Sequence, residues 1–271
     1  MTPKHQLDLR SRHPNFQTFL DINERESKKI RDNYTCFLDV PYGNEPLQTL
    51  DIFPSSIPNS PILIFIHGGY WKGLDKLSYS FIAEPYIKNN ITTCIVNYQL
   101  IPTVTMESLL NDITTAIQWI ISKATMYNGN SNKIILSGHS AGGHLAVLSY
   151  LLTENIQPKI QAICSLSGIF NLAPIQHSYL NDILQLNTTD VHKFSVSNKD
   201  LSRIKCPLLL SVGGNETDLF IEESKNLYLE HKEVAPITYY EYADLNHYEI
   251  VHKLGQDYNL LSEFICATAV Q

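Results

Sequence analysis

The chain has 271 residues, 44% of them hydrophobic, so it can bury a large core, and we expect a single domain over residues 1–271. Its 20 lysines and arginines are outnumbered by 27 aspartates and glutamates, which gives a formal net charge of −7. Because no long basic or acidic block accompanies this balance, we expect neither nucleic acid nor an anionic membrane surface as a partner.

The predicted elements alternate between strands and helices along most of the chain. Residues 1–33 are polar and predict an arm with a helical piece at 19–30. Short apolar runs bounded by polar residues are typical of buried strands, and apolar residues at helical spacing indicate helices. The later elements are, in chain order, strands 34–40, 48–53 and 62–66, helix 78–88, strand 92–97, helix 106–127, strand 134–136, a helix from residue 141, strands Ile160–Leu166 and 208–212, helix Asp218–His231 and strand Ile237–Tyr242.

This alternation predicts an α/β fold with a mostly parallel central sheet and helices on both faces. In such a fold the functional site lies at the carboxyl ends of the strands. The stretch 168–200 has little periodicity and predicts a small cap segment over that edge.

The run IILSGHSAGGHL, residues 134–145, places Ser140 at the junction of a strand and a helix. Gly138 and Gly142 flank the serine, and side chains at these two positions would collide with the main chain of so tight a turn. G-x-S-x-G in this context is the nucleophile elbow, which exposes a serine hydroxyl above a sheet. The non-catalytic alternative is a glycine-rich loop that only packs a helix on a strand.

A nucleophilic serine needs a histidine base and a carboxylate that orients it, and in this topology the chain order is serine, acid, histidine. His247 follows a strand and begins a helical stretch, so a loop could bring its ring over the serine. His252 is the main rival, and a capping or surface role is the alternative for His247. The histidines at or before the serine are disfavoured by chain order.

Two carboxylates follow the buried strand 208–212. Glu216 lies three residues past Gly213 and can reach back toward a histidine on the next loop. Asp218 fits the first turn of the following helix, where the helix dipole favours an acid. We therefore predict Glu216 as the triad acid and keep Asp218 as the alternative.

The third requirement is a set of donors for the oxyanion that forms during acyl transfer. The strand 62–66 ends in HGGYW, residues 67–71, and its two glycines allow backbone amides to turn toward a ligand. The amides of Gly69 and Tyr70, together with that of Ala141, are the predicted oxyanion hole. A simple loop turn is the alternative.

Together these motifs make the chain resemble the kynurenine formamidase (arylformamidase) branch of the α/β-hydrolase fold. The resemblance covers about residues 34–250 and includes HGGYW, VNYQLIP at 96–102, GHSAGGHL, SLSGIFNL at 165–172 and VGGNETDLF followed by NHY. It implies a triad of Ser140, Glu216 and His247, although the acid in that family is often Asp. Tyr70 and His139 distinguish the chain from hormone-sensitive-lipase-type esterases, which usually show H-G-G-G and G-D-S-A-G-G.

The resemblance implies hydrolysis of N-formyl-L-kynurenine to kynurenine and formate through a formyl-enzyme, as a step of tryptophan catabolism. The alternatives are a general carboxylesterase acting on short-chain or aryl esters and, more remotely, a non-catalytic ligand-binding relative. An aromatic leaving group needs flat apolar surface. The candidate substrate contacts are Tyr70, Trp71, His139 and Phe170, for each of which ordinary packing is the alternative.

No cofactor or metal is expected, because His139 and His144 lack H-E-x-x-H spacing and no acid completes a site with them. The five cysteines are odd in number, form no C-x-x-C and lie mostly in apolar runs, as free thiols in a reducing compartment do. With no signal-peptide pattern and no apolar run of about 18 residues, these features predict a cytoplasmic protein. A homodimer is possible, and the role of residues 1–33 is open between an arm over the site and a partner contact.

Overall fold

The computed structural model describes residues 3–270, which form an eight-stranded sheet with helices on both faces. The order across the sheet is β1-β2-β4-β3-β5-β6-β7-β8. Only β2 runs against the other strands, since it pairs antiparallel with both β1 and β4. The strands are β1 (Phe37–Pro41), β2 (Thr49–Phe53), β3 (Ser60–Ile66), β4 (Thr92–Val96), β5 (Gly129–His139), β6 (Ile160–Leu166), β7 (Leu208–Gly213) and β8 (Ile237–Tyr242).

The central strands are buried on both faces, which explains why their sequences are continuous apolar runs. In β3, Ile62 and Ile64 pack into one core, which also contains buried residues of α5 and α6, while Leu63 and Phe65 pack into a second core with α4 and α11. The helices are α1 (Pro3–Leu7), α2 (Leu9–Arg12), α3 (Phe16–Asn33), α4 (Ala83–Lys88), α5 (Met106–Lys123), α6 (Ala141–Leu152), α7 (Ala173–Gln176), α8 (Asn181–Leu184), α9 (Thr188–Phe194), α10 (Asp218–His231) and α11 (Leu260–Ala269).

Several predicted elements are confirmed at their bounds, namely β6, β8 and α10. The predicted helix 78–88 is wrong in its first half, which forms two 3₁₀ turns, Lys76–Ser78 and Ser80–Ile82, before α4. Asp75 caps the first turn, and Tyr79 separates the two turns with φ −128° and ψ 4°. The helix α11 was not among the predicted elements.

The N-terminal residues carry more helix than the sequence predicts. In place of one piece at 19–30, three helices (α1, α2 and α3) follow one another, and α3 continues to Asn33. Tyr34 closes α3 by donating its amide to the carbonyl of Ile30, so β1 begins only at Phe37. The stretch 168–200 contains α7, α8, α9 and a 3₁₀ turn, Val196–Asn198.

The five cysteines are free thiols, of which Cys94, Cys164 and Cys206 are buried. Burial raises the pKa of Cys206 to about 11, so this thiol stays protonated at neutral pH. Among residues 3–270, no helix has the length and apolar character needed to cross a membrane.

Candidate active site

Ser140 lies between the end of β5 and the start of α6, with φ 58° and ψ −121°. Its amide donates a hydrogen bond of 2.8 Å to the carbonyl of Leu166 at the end of β6. A Cβ on Gly138 would lie 2.2 Å from the Gly142 carbonyl oxygen, and one on Gly142 would lie 2.0 Å from that of Ile66. The glycines are therefore required because three backbone segments meet at this turn.

His247 and Glu216 form a buried pair beside the elbow. The Nδ1 atom of His247 lies 2.5 Å from Oε2 of Glu216, and each residue is only 3% exposed. Glu216 follows β7 and His247 follows β8, so adjacent parallel strands deliver the two side chains to the same edge of the sheet. A carboxylate on Nδ1 fixes the ring so that Nδ1 carries the proton and Nε2 is left as an acceptor.

The structure places the two rival residues elsewhere. Asp218 begins α10, is exposed, and accepts a hydrogen bond from the side-chain amide of Gln6. His252 lies in the 3₁₀ helix Ile250–Gly255 and stacks on Phe81, with 5.1 Å between ring centroids. Neither residue lines the cleft that contains Ser140.

The second oxygen of Glu216 is held by two donors. The hydroxyl of Ser167 donates to Oε1 at 2.5 Å, and the amide of Gly213 donates to the same oxygen at 2.8 Å. Ser167 is fully buried, follows β6 directly and has φ 49°. The sequence reasoning missed this residue, although a serine one position past a predicted strand end was a usable signal.

The loop after β3 lies against the elbow. A Cβ on Gly68 would approach the Cβ of Ser140 to 3.0 Å, and Gly69 has φ +108°, a conformation that favours glycine. Ala141 is the first residue of α6, where helix geometry leaves the amide without an intrahelical acceptor. Within residues 3–270, the amides of Gly69, Tyr70 and Ala141 have no hydrogen-bond acceptor, and Gly69 and Tyr70 line the cleft that contains Ser140.

A cleft of about 310 Å³ leads to Ser140 and His247. Aromatic side chains supply much of its wall: Phe16, Tyr70, Tyr79, Tyr179 and Tyr248. His139 also lines the cleft and packs on His247, with 4.6 Å between ring centroids. Burial, and then the charge of His247, hold the pKa of His139 well below its usual 6.5, so this ring is neutral at physiological pH.

Residues 3–33 form one side of this cleft. The carbonyl of Leu7 accepts hydrogen bonds from the hydroxyls of Tyr70, at 2.9 Å, and Tyr179, at 3.3 Å. Arg12 donates to the backbone carbonyl of Glu216, and Phe19 stacks on Tyr248 at 5.7 Å between centroids. Residues 3–33 therefore lie against the cleft, as the first of the two predicted roles, an arm over the site, requires.

Two predicted substrate contacts are corrected. The Trp71 side chain is fully buried in the core and meets the His144 ring edge-on, with 5.2 Å between centroids, and does not line the cleft. Tyr70 and Trp71 both have positive φ, 50° and 58°, and only the first of the two side chains faces the cleft. Phe170 is 1% exposed and borders a separate cavity beside α10. Tyr70 and His139 are the two candidates that the structure brings to the cleft.

The histidines, cysteines and acids of the described chain do not gather into any group of three that could hold a metal ion. His144 is fully buried and its Nε2 lies 2.7 Å from the carbonyl oxygen of Phe194. Burial lowers the pKa of His144 to about 4, so it remains neutral.

Comparison with known proteins identifies the family of the chain. A sequence model of the BD-FAE family matches residues 50–225. The chain is similar to the kynurenine formamidase of Danio rerio, with 28% identity over 250 residues that cover 88% of this chain and 84% of that protein. This similarity confirms the resemblance predicted from the motifs.

Solved structures share the same architecture. A Silicibacter protein assigned as a thioesterase superposes with a TM-score of 0.86 at 20% identity and covers 100% of both chains. A thermostable carboxylesterase from a metagenomic library superposes with a TM-score of 0.72 at 15% identity, over 94% of this chain and 97% of the other. The predicted α/β-hydrolase fold is therefore confirmed.

Proposed function

Because the chain belongs to the BD-FAE family, we propose that it is a serine hydrolase in which Ser140 is the nucleophile, His247 the base and Glu216 the orienting acid. One observation carries this proposal: His247, whose Nδ1 lies 2.5 Å from Oε2 of the buried Glu216, lines the same cleft as the strained serine. The kynurenine formamidase relatives and the esterase structures support hydrolase activity of the formamidase or esterase type.

The proposed substrate is N-formyl-L-kynurenine, which would make the reaction a step of tryptophan catabolism. Two features support it. The chain is similar to the kynurenine formamidase of Danio rerio, and the aromatic wall of the cleft suits an arylamine leaving group. The catalytic groups serve esters equally well, so a carboxylesterase acting on short-chain or aryl esters is the second candidate.

In the proposed cycle, Nε2 of His247 takes the Ser140 hydroxyl proton while Oγ attacks the formyl carbon. The amides of Gly69, Tyr70 and Ala141 donate to the oxyanion that forms. As the tetrahedral intermediate collapses, the C–N bond breaks and protonated His247 gives its proton to the departing arylamine nitrogen. Water then gives a proton to His247, attacks the formyl-enzyme and releases formate, which restores the serine hydroxyl.

The test is steady-state hydrolysis of N-formylkynurenine beside p-nitrophenyl acetate, with wild type, Ser140→Ala and the control Ser149→Ala, whose hydroxyl only donates to the Ala146 carbonyl within α6. We expect a higher kcat/KM for the formamide, lost in Ser140→Ala and kept in the control. Strong ester turnover with negligible formamide cleavage would make the protein a carboxylesterase. No labelling of Ser140 by a fluorophosphonate would indicate the non-catalytic alternative.

A further inference from the structure

A cationic side chain lies at the edge of the cleft and is not used by the catalytic cycle. Arg10, on α2, lines the cleft, and its guanidinium carbon lies 4.9 Å from the centroid of the Phe16 ring. Across residues 3–270, no acidic side chain forms an ion pair with Arg10. Its contact with Phe16 orients the guanidinium and leaves its N–H donors for another partner.

The charge of Arg10 acts on two tyrosines that line the cleft, Tyr248 and Tyr179. Burial raises the pKa of Tyr248 to about 12, and the positive charge of Arg10 opposes that rise. At Tyr179, burial and then the negative charge of Asp8 raise the pKa, and the charge of Arg10 opposes both. Tyr248 directly follows His247 in the chain, and Arg10, Tyr248 and His247 all line the same cleft.

Two other charged side chains line the same cleft. Asp8 is the acidic one, and its carboxylate accepts hydrogen bonds from the amide and hydroxyl of Ser11, at 3.2 and 2.7 Å, and so caps α2. Lys72, which follows the oxyanion loop, adds a second cation to the lining.

We propose that Arg10 binds a carboxylate carried by the leaving group, so that the cleft selects anionic aromatic substrates; this inference rests on the proposed hydrolase function. A guanidinium presents a planar fork of donors that matches the two oxygens of a carboxylate. Arg10 is thus a specificity-determining residue, contributed by the N-terminal segment rather than by the sheet.

The test compares two aryl acetates that differ in one ring carboxylate, phenyl acetate and 4-acetoxybenzoate. The proteins are wild type, Arg10→Ala, Arg10→Lys and the control Arg25→Ala, whose arginine lies exposed on α3 and pairs with Glu26. The readout is the ratio of kcat/KM for the anionic ester to that for the neutral ester, because intrinsic leaving-group differences cancel between variants.

In Arg10→Ala we expect this ratio to fall about tenfold, chiefly through KM for the anionic ester, the order of effect expected for losing one charge-assisted contact. Arg10→Lys should retain part of the ratio, and Arg25→Ala all of it. An unchanged ratio in Arg10→Ala overturns the inference. Equal losses on both esters with a lowered melting temperature also overturn it, since Arg10 would then be structural.

A binding measurement separates failure of this inference from failure of the proposed function. Should wild type cleave neither ester, the hydrolase proposal fails, and calorimetric Kd values for kynurenine and 2-aminoacetophenone decide the role of Arg10 without turnover. If Arg10→Ala raises the Kd of kynurenine about tenfold more than it raises the Kd of 2-aminoacetophenone, the result supports carboxylate binding by Arg10. An equal effect of the substitution on both ligands overturns it.

Discussion

The backbone of Ser140 adopts φ 58° and ψ −121°, a conformation that costs an L-residue on the order of 1–3 kcal/mol and persists only where its surroundings enforce it. The surroundings here are backbone groups: the Leu166 carbonyl that accepts the Ser140 amide, and the strand-end carbonyls that touch Gly142. Strain at the serine is therefore compensated by contacts among β3, β5 and β6.

Gly142→Ala tests this arrangement, because the added methyl group would lie 2.0 Å from the Ile66 carbonyl oxygen, a backbone atom that cannot rotate away. We expect kcat/KM to fall at least about 100-fold, or the protein to melt several degrees lower. Gly43→Ala is the matched control, since its added methyl group also lies 2.0 Å from an atom, but that atom is Oε1 of the Gln48 side chain, which can rotate away at the cost of its hydrogen bonds to Glu45 and Asp112. A fully active Gly142→Ala enzyme would refute the steric argument.

Ser167→Ala tests how the acid is held. Losing the 2.5 Å hydrogen bond leaves Oε1 of Glu216 with only the Gly213 amide, so the carboxylate gains rotational freedom against His247. We expect kcat to fall about tenfold with KM little changed, measured by steady-state hydrolysis.

The control for that experiment is Ser165→Ala, two residues earlier on β6, because the Ser165 hydroxyl is buried and has no hydrogen-bond partner in the described structure. Its removal should cost neither activity nor stability. Equal rates for the two variants would contradict a positioning role for Ser167.

At the residue scale, the sequence predicted those site residues whose positions are restricted by the chemistry of a serine nucleophile or by the backbone of a tight turn. Ser140, Glu216 and His247 could be found because chain order, glycine spacing and strand ends restrict the choice. Ser167 and Trp71 could not be assigned in this way, because their environments depend on the dihedral angles of single turns, φ 49° and 58°, which residue type does not determine.

The helix α10 is tied to the segment after β6 by one carboxylate. Oε2 of Glu223 accepts hydrogen bonds from the amides of Phe170 and Asn171, at 2.9 and 2.7 Å. Burial raises the pKa of Glu223 from 4.5 to about 7, although the two amides oppose the rise. The element that carries the predicted cap is thus joined to α10 by a group that titrates near neutrality.

This shift sets the sign of a pH dependence. An acid whose folded pKa is raised binds its proton more tightly in the folded state, so its contribution to stability falls as pH rises from about 4.5 to about 7 and stays low above that range. In Glu223→Gln we expect the decrease in melting temperature between pH 5 and pH 8 to be smaller than in wild type by about 2 °C. Glu222→Gln, on the exposed side of α10, should keep the wild-type decrease in melting temperature between pH 5 and pH 8. A steeper decrease of melting temperature with pH in Glu223→Gln than in wild type would contradict a raised pKa for Glu223 in the folded protein.

The strand β6, which is buried on both faces, was predicted at its bounds because an apolar run flanked by polar residues has few alternatives. The apolar run 134–136 located β5 but not its ends, because Gly129 also pairs with β3 and His139 with β6. The edge strand β1 was misplaced by several residues at its start, since four of its five residues are exposed and its pattern carries little signal. The helix 78–88 failed for a local reason, the capping by Asp75 that begins a 3₁₀ turn instead.

At the scale of the whole molecule, the site is completed by residues far from it in sequence. Leu7 contacts Tyr70 and Tyr179, which are 63 and 172 positions away along the chain. These contacts join hydroxyls to a backbone carbonyl, so no side-chain pattern in residues 1–33 records them. The sequence could therefore predict the sheet and a cap segment at 168–200, but it left open whether residues 1–33 lie over the site. A cytoplasmic location and a homodimer stay predictions.

Deletion of residues 1–13 tests that cover. It removes Leu7 and Leu9, 0% and 5% exposed, and it leaves the hydroxyls of Tyr70 and Tyr179 without their acceptor. The sheet and its flanking helices retain their own cores, so we expect one cooperative transition, lowered by several degrees because each buried leucine contributes about 2 kcal/mol.

The same deletion removes Arg10 and opens that side of the cleft, beside the aromatic wall, to water. We expect KM for N-formylkynurenine to rise at least about tenfold, with a smaller effect on phenyl acetate, because the larger leaving group uses more of the removed surface. Leu7→Ala is the graded control, since it keeps the backbone carbonyl that both tyrosines contact. A deletion variant with unchanged melting temperature and unchanged KM would mean that the segment only rests on the enzyme, and that specificity originates in the sheet-borne loops.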